Sequence, residues 1–317
     1  MAPKHLSIGI DYLQGMARFS EFRQLESFLE EVQAGMVTGD KCFFDQEGVT
    51  IGRKFNNRIR SVKGLWGGFT VHDDYIDCHL QFPGTICWEF TDQLKSLELI
   101  KERLKKLTRI DIAIDDEKRR ISQKKIQALA EKKHYKGLDS FKFIESKAVK
   151  GEEPIGTCIF GSSEKIVKFY NAEFMHGIPA DRWELLLRGD YAEFCADEII
   201  EKRDIRAGGK FLTGTLDFIK PGSNSNHDKR YRFWEQFVKE IGQCRLRKPR
   251  DEPTLERALD WLERQAGPTF AVMYFGLGQT EFTKSISRIA ERSSERLQEH
   301  HLAWINYLQE QREQPYA

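Results

Sequence analysis

Residues 109–116 read RIDIAIDD, and the spacing decides what this segment can be. In an extended strand successive side chains alternate, so Ile110, Ile112 and Ile114 share one side while Asp111, Ala113 and Asp115 share the other. Such a strand buries its isoleucines against a core and presents acids on its opposite face. A second stretch has a similar texture: SIGIDYLQGM at 7–16 set beside TRIDIAIDDE at 108–117 suggests a diverged internal duplication.

Working outward from these two strands gives the same order of elements twice. After the first strand, Phe22, Leu25, Phe28, Leu29 and Val32 recur at helical spacing and predict a helix over about Ser20–Met36, with Ser20 as its cap. Hairpin strands follow in KCFFDQEGVTIG, GLWGGFTV and YIDCHLQFPGTICW, then a helix over Asp92–Leu107 with Leu94, Leu97, Ile100, Leu104 and Leu107 as its stripe. After RIDIAIDD come a helix (ISQKKIQALAEKK), a hairpin (GTCIFGSSEKIVKFY), a strand (DRWELLLRGD) and a helix (YAEFCADEIIEK). Two such units predict an α+β fold, a largely antiparallel sheet with helices on one face and the other face open for binding. Beyond a Pro-, Gly-, Ser- and Asn-rich stretch, IKPGSNSNHDKR, the spacing is helical to the end. The expected division is residues 1–108, an α+β half open to DNA binding, 109–216, an α+β half carrying the chemistry, and a C-terminal helical lobe, 217–317.

Composition narrows the function classes. The net charge is +1 with 31% charged residues, so the whole molecule lacks the field of a strongly basic nucleic-acid binder. Locally, residues 201–250 hold 13 Lys or Arg against 6 Asp or Glu. That surplus reads either as a solvated face or as a polyanion-facing surface, and in the second case Arg230, Arg232, Arg245, Arg247 and Lys248 are the expected phosphate contacts. The six cysteines form no CxxC pair, no apolar run reaches membrane-spanning length, and the first residues lack a signal-peptide pattern. A cytoplasmic protein with reduced thiols and no membrane partner is expected.

Three strands each carry a charged face. Beside Asp111 and Asp115, the strand DRWELLLR puts Arg182, Glu184 and Arg188 opposite Trp183, Leu185 and Leu187, and KIVKFY puts Lys168 and Tyr170 opposite Val167 and Phe169. Separately, these are ordinary solvated or packed residues. Side by side in one sheet, they suit phosphoryl chemistry. Asp111 and Glu184, with Asp115 nearby, offer hard oxygen ligands for Mg²⁺ or Mn²⁺, and Tyr170 offers a nucleophile. No P-loop, dinucleotide fingerprint, GxSxG or HExxH motif competes with this reading.

RIDIAIDD, GTCIFGSSEKIVKFYNAEF and DRWELLLRGD, in that order, resemble the replication initiation factor family. It comprises rolling-circle initiators of staphylococcal-type plasmids, relaxases of integrative elements and replication proteins of filamentous phages. The resemblance covers about Ile8–Lys202, most specifically Arg109–Asp190, and the tail is similar to phage-type members. It implies a nicking and joining enzyme acting on single-stranded and duplex origin DNA, with host helicase and polymerase as further partners. It places the nucleophile at Tyr170, the acidic strand at Asp111 and the Arg-x-Glu strand at Arg182 and Glu184. Two positions depart from the pattern: Lys168 replaces the usual arginine and Ala172 the usual lysine. The missing cation is then expected from Lys165 or Arg188, with Lys165 and Arg182 also expected to contact DNA. A binding protein on the same fold that has lost catalysis, or a nuclease without a covalent intermediate, is the alternative.

Overall fold

In the computed structural model the duplicated pattern appears as one continuous sheet. The structure describes residues 6–38, 41–51, 53–145, 156–222, 228–244 and 262–297, with 259, 301, 302, 304–306 and 309. The first half runs β1 (Leu6–Phe19), α1 (Phe22–Ala34), β2 (Cys42–Asp45), β3 (Val49–Ile51), β4 (Arg53–Phe55), β5 (Asn57–Ser61), β6 (Gly64–Val71), β7 (Ile76–Phe82), α2 (Gly84–Cys87) and α3 (Gln93–Arg103). The second runs β8 (Leu104–Asp116), α4 (Gln123–Glu131), β9 (Tyr135–Lys136), β10 (Phe141–Glu145), β11 (Gly156–Ser162), β12 (Lys165–Asn171), α5 (Ala172–His176), β13 (Asp181–Arg188) and α6 (Asp190–Lys202). Then follow α7 (Arg206–Thr215), β14 (Asp217–Lys220), β15 (Lys229–Arg230), α8 (Arg232–Ile241), α9 (Gly267–Leu277) and α10 (Gln279–Ser293).

The ten-stranded sheet has the order β10-β11-β12-β13-β8-β1-β7-β6-β5-β2, every pairing antiparallel. Read outward from the centre, each half repeats one plan: its first strand pairs with its last, which pairs on through three more strands, the third at the edge. The halves meet where β1 pairs with β8 from Leu6 opposite Asp116 to Ala17 opposite Leu104.

Alternation along β8 works as expected. Ile110, Ile112 and Ile114 are fully buried, and the helices lie over them. Gly208 and Gly209 on α7 allow close approach: a methyl group on either would come within 3.1 Å of Ile112 or Ile8. Two helix limits differ from expectation. The predicted helix over 92–107 ends at Arg103, because Leu104 and Leu107 are recruited into β8 by pairing with β1, and Asp92 caps it by accepting from the Leu94 and Lys95 amides. The first helix starts at Phe22 behind Glu21 rather than behind Ser20, and no side chain caps it.

The chain separates into two compact units, Met1–Pro249 and Arg250–Ala317. Residues 217–241, expected in the helical lobe, therefore belong with the sheet. Their aromatic groups explain why: Trp234 and Phe237 on α8 are buried, with ring centroids 5.1 and 5.8 Å from that of Trp183 on β13. In the second unit α9 and α10 are both helices, as the spacing predicts. None of the described helices is long and apolar enough to cross a membrane.

Candidate functional site

The polar side of the sheet gathers the three charged strands into adjacent rows. Antiparallel register sets Tyr170 opposite Arg182 and Arg182 opposite Asp115; one row along, Lys168 faces Glu184 and Glu184 faces Ala113. Residues directly opposite point to the same side, so these groups converge. The faces expected to lie in solvent are closed: Asp111, Asp115, Arg182 and Glu184 are 2–6% exposed and Tyr170 5%.

Tyr170 donates its hydroxyl hydrogen to Glu184 Oε1, and His176 Nε2 lies 3.2 Å from the Tyr170 hydroxyl oxygen. Lys168 Nζ holds the other carboxylate oxygen of Glu184 at 2.9 Å. His176 reaches the tyrosine because the chain turns immediately after it: Asn171 caps α5, accepting from the Glu173 and Phe174 amides, and Gly177 at φ +70° ends it. Burial raises the Tyr170 phenol above the ordinary tyrosine range, and the Glu184 negative charge beside it raises it further. The hydroxyl is therefore held protonated until that charge is offset.

Arg182 ties the three central strands together. Its Nε and Nη2 donate to the two oxygens of Asp115 on β8 at 2.7 and 2.9 Å, and Nη1 donates to Asp11 on β1 at 3.0 Å. Although burial opposes its charge, the hydrogen bonds and charge of Asp115, helped by Asp11, hold it more firmly protonated than a free arginine. Asp11 also accepts from Trp88 Nε1 at 2.6 Å. Burial, then the charge of Glu184, raises the Asp11 carboxyl. Asp111 is gripped by Arg109, whose Nε donates at 2.8 Å, yet burial outweighs this pairing and pushes Asp111 up to about 6, with Glu184 again adding to the rise.

The site residues expected from sequence divide accordingly. Tyr170, Lys168, Glu184, Arg182, Asp115 and Asp111 share one face. Asp115 is turned to Arg182, so both its oxygens serve an ion pair, and the Arg182 guanidinium is committed to Asp115 and Asp11. Asp116 serves the following turn, accepting from the Lys118 and Arg120 amides. Lys165 and Arg188, expected to stand in for the missing lysine, lie far from the hydroxyl. Arg188 is six residues from Arg182, about 20 Å along the strand, and donates to the Ser163 carbonyl; Lys165 Nζ sits over the Tyr191 ring. Arg230 pairs with Asp217 and Gln243 near α8, and Arg232 is exposed at the start of that helix. Arg245, Arg247 and Lys248 lie outside the described residues.

Three residues that the motifs did not single out complete the site. Asp11 is signalled by the match of IGID (8–11) to IAID (112–115), which sets it in the frame of Asp115. His176 and Trp88 had no sequence signal, since each arrives by a turn of chain. Among the described residues, no group of three His, Cys, Asp or Glu side chains is placed to hold a metal ion.

Known proteins share the fold of this chain. A solved rolling-circle replication initiator protein from Geobacillus stearothermophilus has the same fold, with a TM-score of 0.60, 18% identity, and coverage of 77% of this chain and 99% of that one. A putative DNA relaxase, NicK, from Bacillus subtilis (strain 168) is 25% identical over 204 residues, 57% of each chain, so the match spans little over half of that relative. The model of the replication initiation factor family matches residues 105–289, and the chain belongs to this family.

Proposed function

We propose that this protein nicks and rejoins origin DNA to start rolling-circle replication. The observation that carries this reading is the Tyr170 hydroxyl held between Glu184 and His176, with Lys168 on the far oxygen of Glu184. Tyr170 Oη attacks the phosphorus of a single-stranded phosphodiester as its proton passes to Glu184. The P–O3′ bond breaks, the leaving 3′-oxygen takes up a proton, and the DNA 5′-phosphate becomes esterified to Tyr170. His176 Nε2, carrying a hydrogen, donates to the phenolic oxygen and steadies its negative charge, both as it attacks and as it departs in the reverse, joining step. Because one phosphoester replaces another, rejoining needs no nucleotide triphosphate.

A divalent cation such as Mg²⁺ or Mn²⁺ fits the donor chemistry. The oxygens are hard, and Asp111 and Asp11, raised first by burial and then further by the charge of Glu184, stand beside it. Mg²⁺ commonly uses one or two carboxylates plus substrate phosphate and water, so a three-residue cage is not required. Glu184 would hold it, with Asp11 beside it and Asp111 joining once the Arg109 pair that now takes both its oxygens opens. When bound, the cation would neutralise the phosphodiester and offset the Glu184 charge that holds the tyrosine protonated.

Ala172 replaces the customary lysine and would favour a binding protein without catalysis. The same helix that begins at Ala172 instead delivers His176 to the tyrosine, so the site keeps a nitrogen donor at the reacting oxygen. Duplex affinity would come from Arg232 and the segment holding Arg245, Arg247 and Lys248. The test is incubation with Mn²⁺ or Mg²⁺ and single-stranded or supercoiled DNA carrying the flanks of its own gene, followed by a denaturing gel. A covalent protein–DNA adduct that is lost in Tyr170→Phe supports the reading, and an adduct that survives the substitution refutes it.

A further inference from the structure

Beside the tyrosine, a cleft of about 700 Å³ opens between the halves of the sheet, lined by Asp11, Trp88 and Lys63 from the first and by His176, Ile178 and Arg182 from the second. Trp88 is the aromatic wall of this cleft. It is 39% exposed, unlike Trp66, Trp183 and Trp234, which are buried in the core. Its position is nevertheless fixed: Nε1 is anchored on Asp11 at 2.6 Å, and the Arg182 guanidinium carbon lies over the ring 5.5 Å from its centre. The ring edge rests on Gly9, where a methyl group would come within 2.5 Å of Trp88 Cη2, so only glycine admits it there. Gly9 lies opposite Ala113, which lies opposite Glu184. Two strand spacings, about 10 Å, separate the backbone beneath the indole from the backbone of Glu184.

We propose that Trp88 is a stacking platform for a nucleobase of the single strand beside the scissile phosphate. This rests on the nicking reading above and gives the first half a direct part in substrate binding. An amphipathic ring held at its polar edge, kept rigid by a packed guanidinium and exposed toward a cleft with Lys63, which pairs with Glu89 at 3.1 Å, has what single-strand binding uses: a π-face for the base and a cationic side chain for the backbone. Every base has such a face, so the contact is sequence-tolerant. It would hold an unpaired nucleotide in line without specifying the origin.

The test is binding of the full chain to a short oligothymidylate and to an abasic strand of the same length, by fluorescence anisotropy without divalent cation. Trp88→Ala should weaken oligothymidylate binding between about 5- and 150-fold, the range of base–aromatic stacking, and should hardly alter binding of the abasic strand. Trp88→Phe keeps an aromatic face but loses the bond to Asp11, and it should restore most of the affinity. Equal binding by wild type and Trp88→Ala overturns the subsite, as does an equal loss on both strands. A Trp88→Phe defect as large as that of alanine also overturns it, because the role would then be only to position Asp11. If the wild-type chain binds no single strand at all, the nicking reading falls and the subsite with it. Adduct formation by wild type alongside a silent Trp88→Ala removes the subsite alone.

Discussion

Replacing Glu184 with glutamine separates two opposed consequences of one carboxylate. The negative charge sits at hydrogen-bond distance from the Tyr170 hydroxyl, and two unit charges about 3 Å apart in a medium of effective dielectric near 20 interact by about 5 kcal/mol. Removing that charge should make the phenol easier to ionise by roughly three to four powers of ten. If Glu184 did nothing else, Glu184→Gln would nick faster than wild type near neutral pH. In the mechanism above it also receives the tyrosine proton and anchors the cation, and glutamine can do neither. Losing a positioned acid–base group alone costs about 10²- to 10⁴-fold. Easier ionisation offsets part of that loss and the missing cation anchor adds to it, so the expected result is a rate below wild type at saturating Mn²⁺, together with a rate–pH profile whose rising limb moves to lower pH. Single-turnover adduct formation from pH 5.5 to 9.5 reads both quantities. A mutant as fast as wild type across that range and across a metal titration would refute the assignment, leaving Glu184 as only an electrostatic burden on the nucleophile.

Tyr170→Phe should abolish the covalent adduct while retaining single-strand binding, as measured by denaturing gels and anisotropy; loss of binding alongside the adduct would point to a structural role. His176→Ala should slow adduct formation by about 10²-fold without changing binding, and an unaltered rate would remove His176 from the reaction. Asp181 faces Asp116 across β13 and β8, and its carboxyl is pushed up to about 6, first by burial and then by Asp116, against an unfolded value of 3.8. The native state therefore binds the extra proton, so this group's penalty is absent below pH 3.8, grows as pH rises through 6, and is full at neutral pH. Asp181→Asn should consequently stabilise the protein at pH 7.5, by on the order of 1 kcal/mol given its partial exposure, with the gain vanishing near pH 4 in urea melts. Changing Arg245, Arg247 and Lys248 together to alanine should flatten the slope of log duplex affinity against log salt by about two to three units, and an unchanged slope would make that segment a solvated surface.

How much of this could be read from the chain alone depended on the range of the interaction. Period-two alternation is local, so the apolar and charged sides of β8, β12 and β13 were legible residue by residue, and the repeated order of elements predicted the two-part sheet. The extent of burial was not legible. Asp111 and Glu184 read as acids on a solvated face because nothing local to RIDIAIDD announces that this face is covered, or that Arg182 arrives from residues 66 positions or more further on. His176 was missed for a related reason. It reaches Tyr170 by the tight turn of α5, and a histidine six residues after a strand tyrosine has no periodicity to betray it. Lys165 and Arg188 misled because closeness in sequence to Tyr170 and Glu184 is distance along an extended strand, where each residue adds about 3.3 Å.

The repeated plan of the sheet also explains why the Tyr170 cluster lies in one half while depending on both. In the first half the polar face is used up locally: Asp77 on β7 holds Arg18 and Arg53, Gln14 meets His79, and Tyr12 donates to Gln81. The β3–β4 hairpin lies over this face, with Phe55 fully buried and Val49 so near Gly68 that a methyl group there would come within 2.6 Å of it. Where β13 carries Arg182 and Glu184, β7 gives way to Pro83 and the short helix α2, and the chain turns to bring Trp88 over Gly9. The first half therefore offers the second no twin site; it offers Asp11 and Trp88. Arg182 answers to both copies of the Ile-x-Ile-Asp strand at once, taking Asp115 from one and Asp11 from the other. Cutting the chain near residue 108 would break the β1–β8 pairing and strip Arg182 of one of its two carboxylates. The two halves are segments of one sheet, and the Tyr170 hydroxyl sits on a scaffold that both must complete.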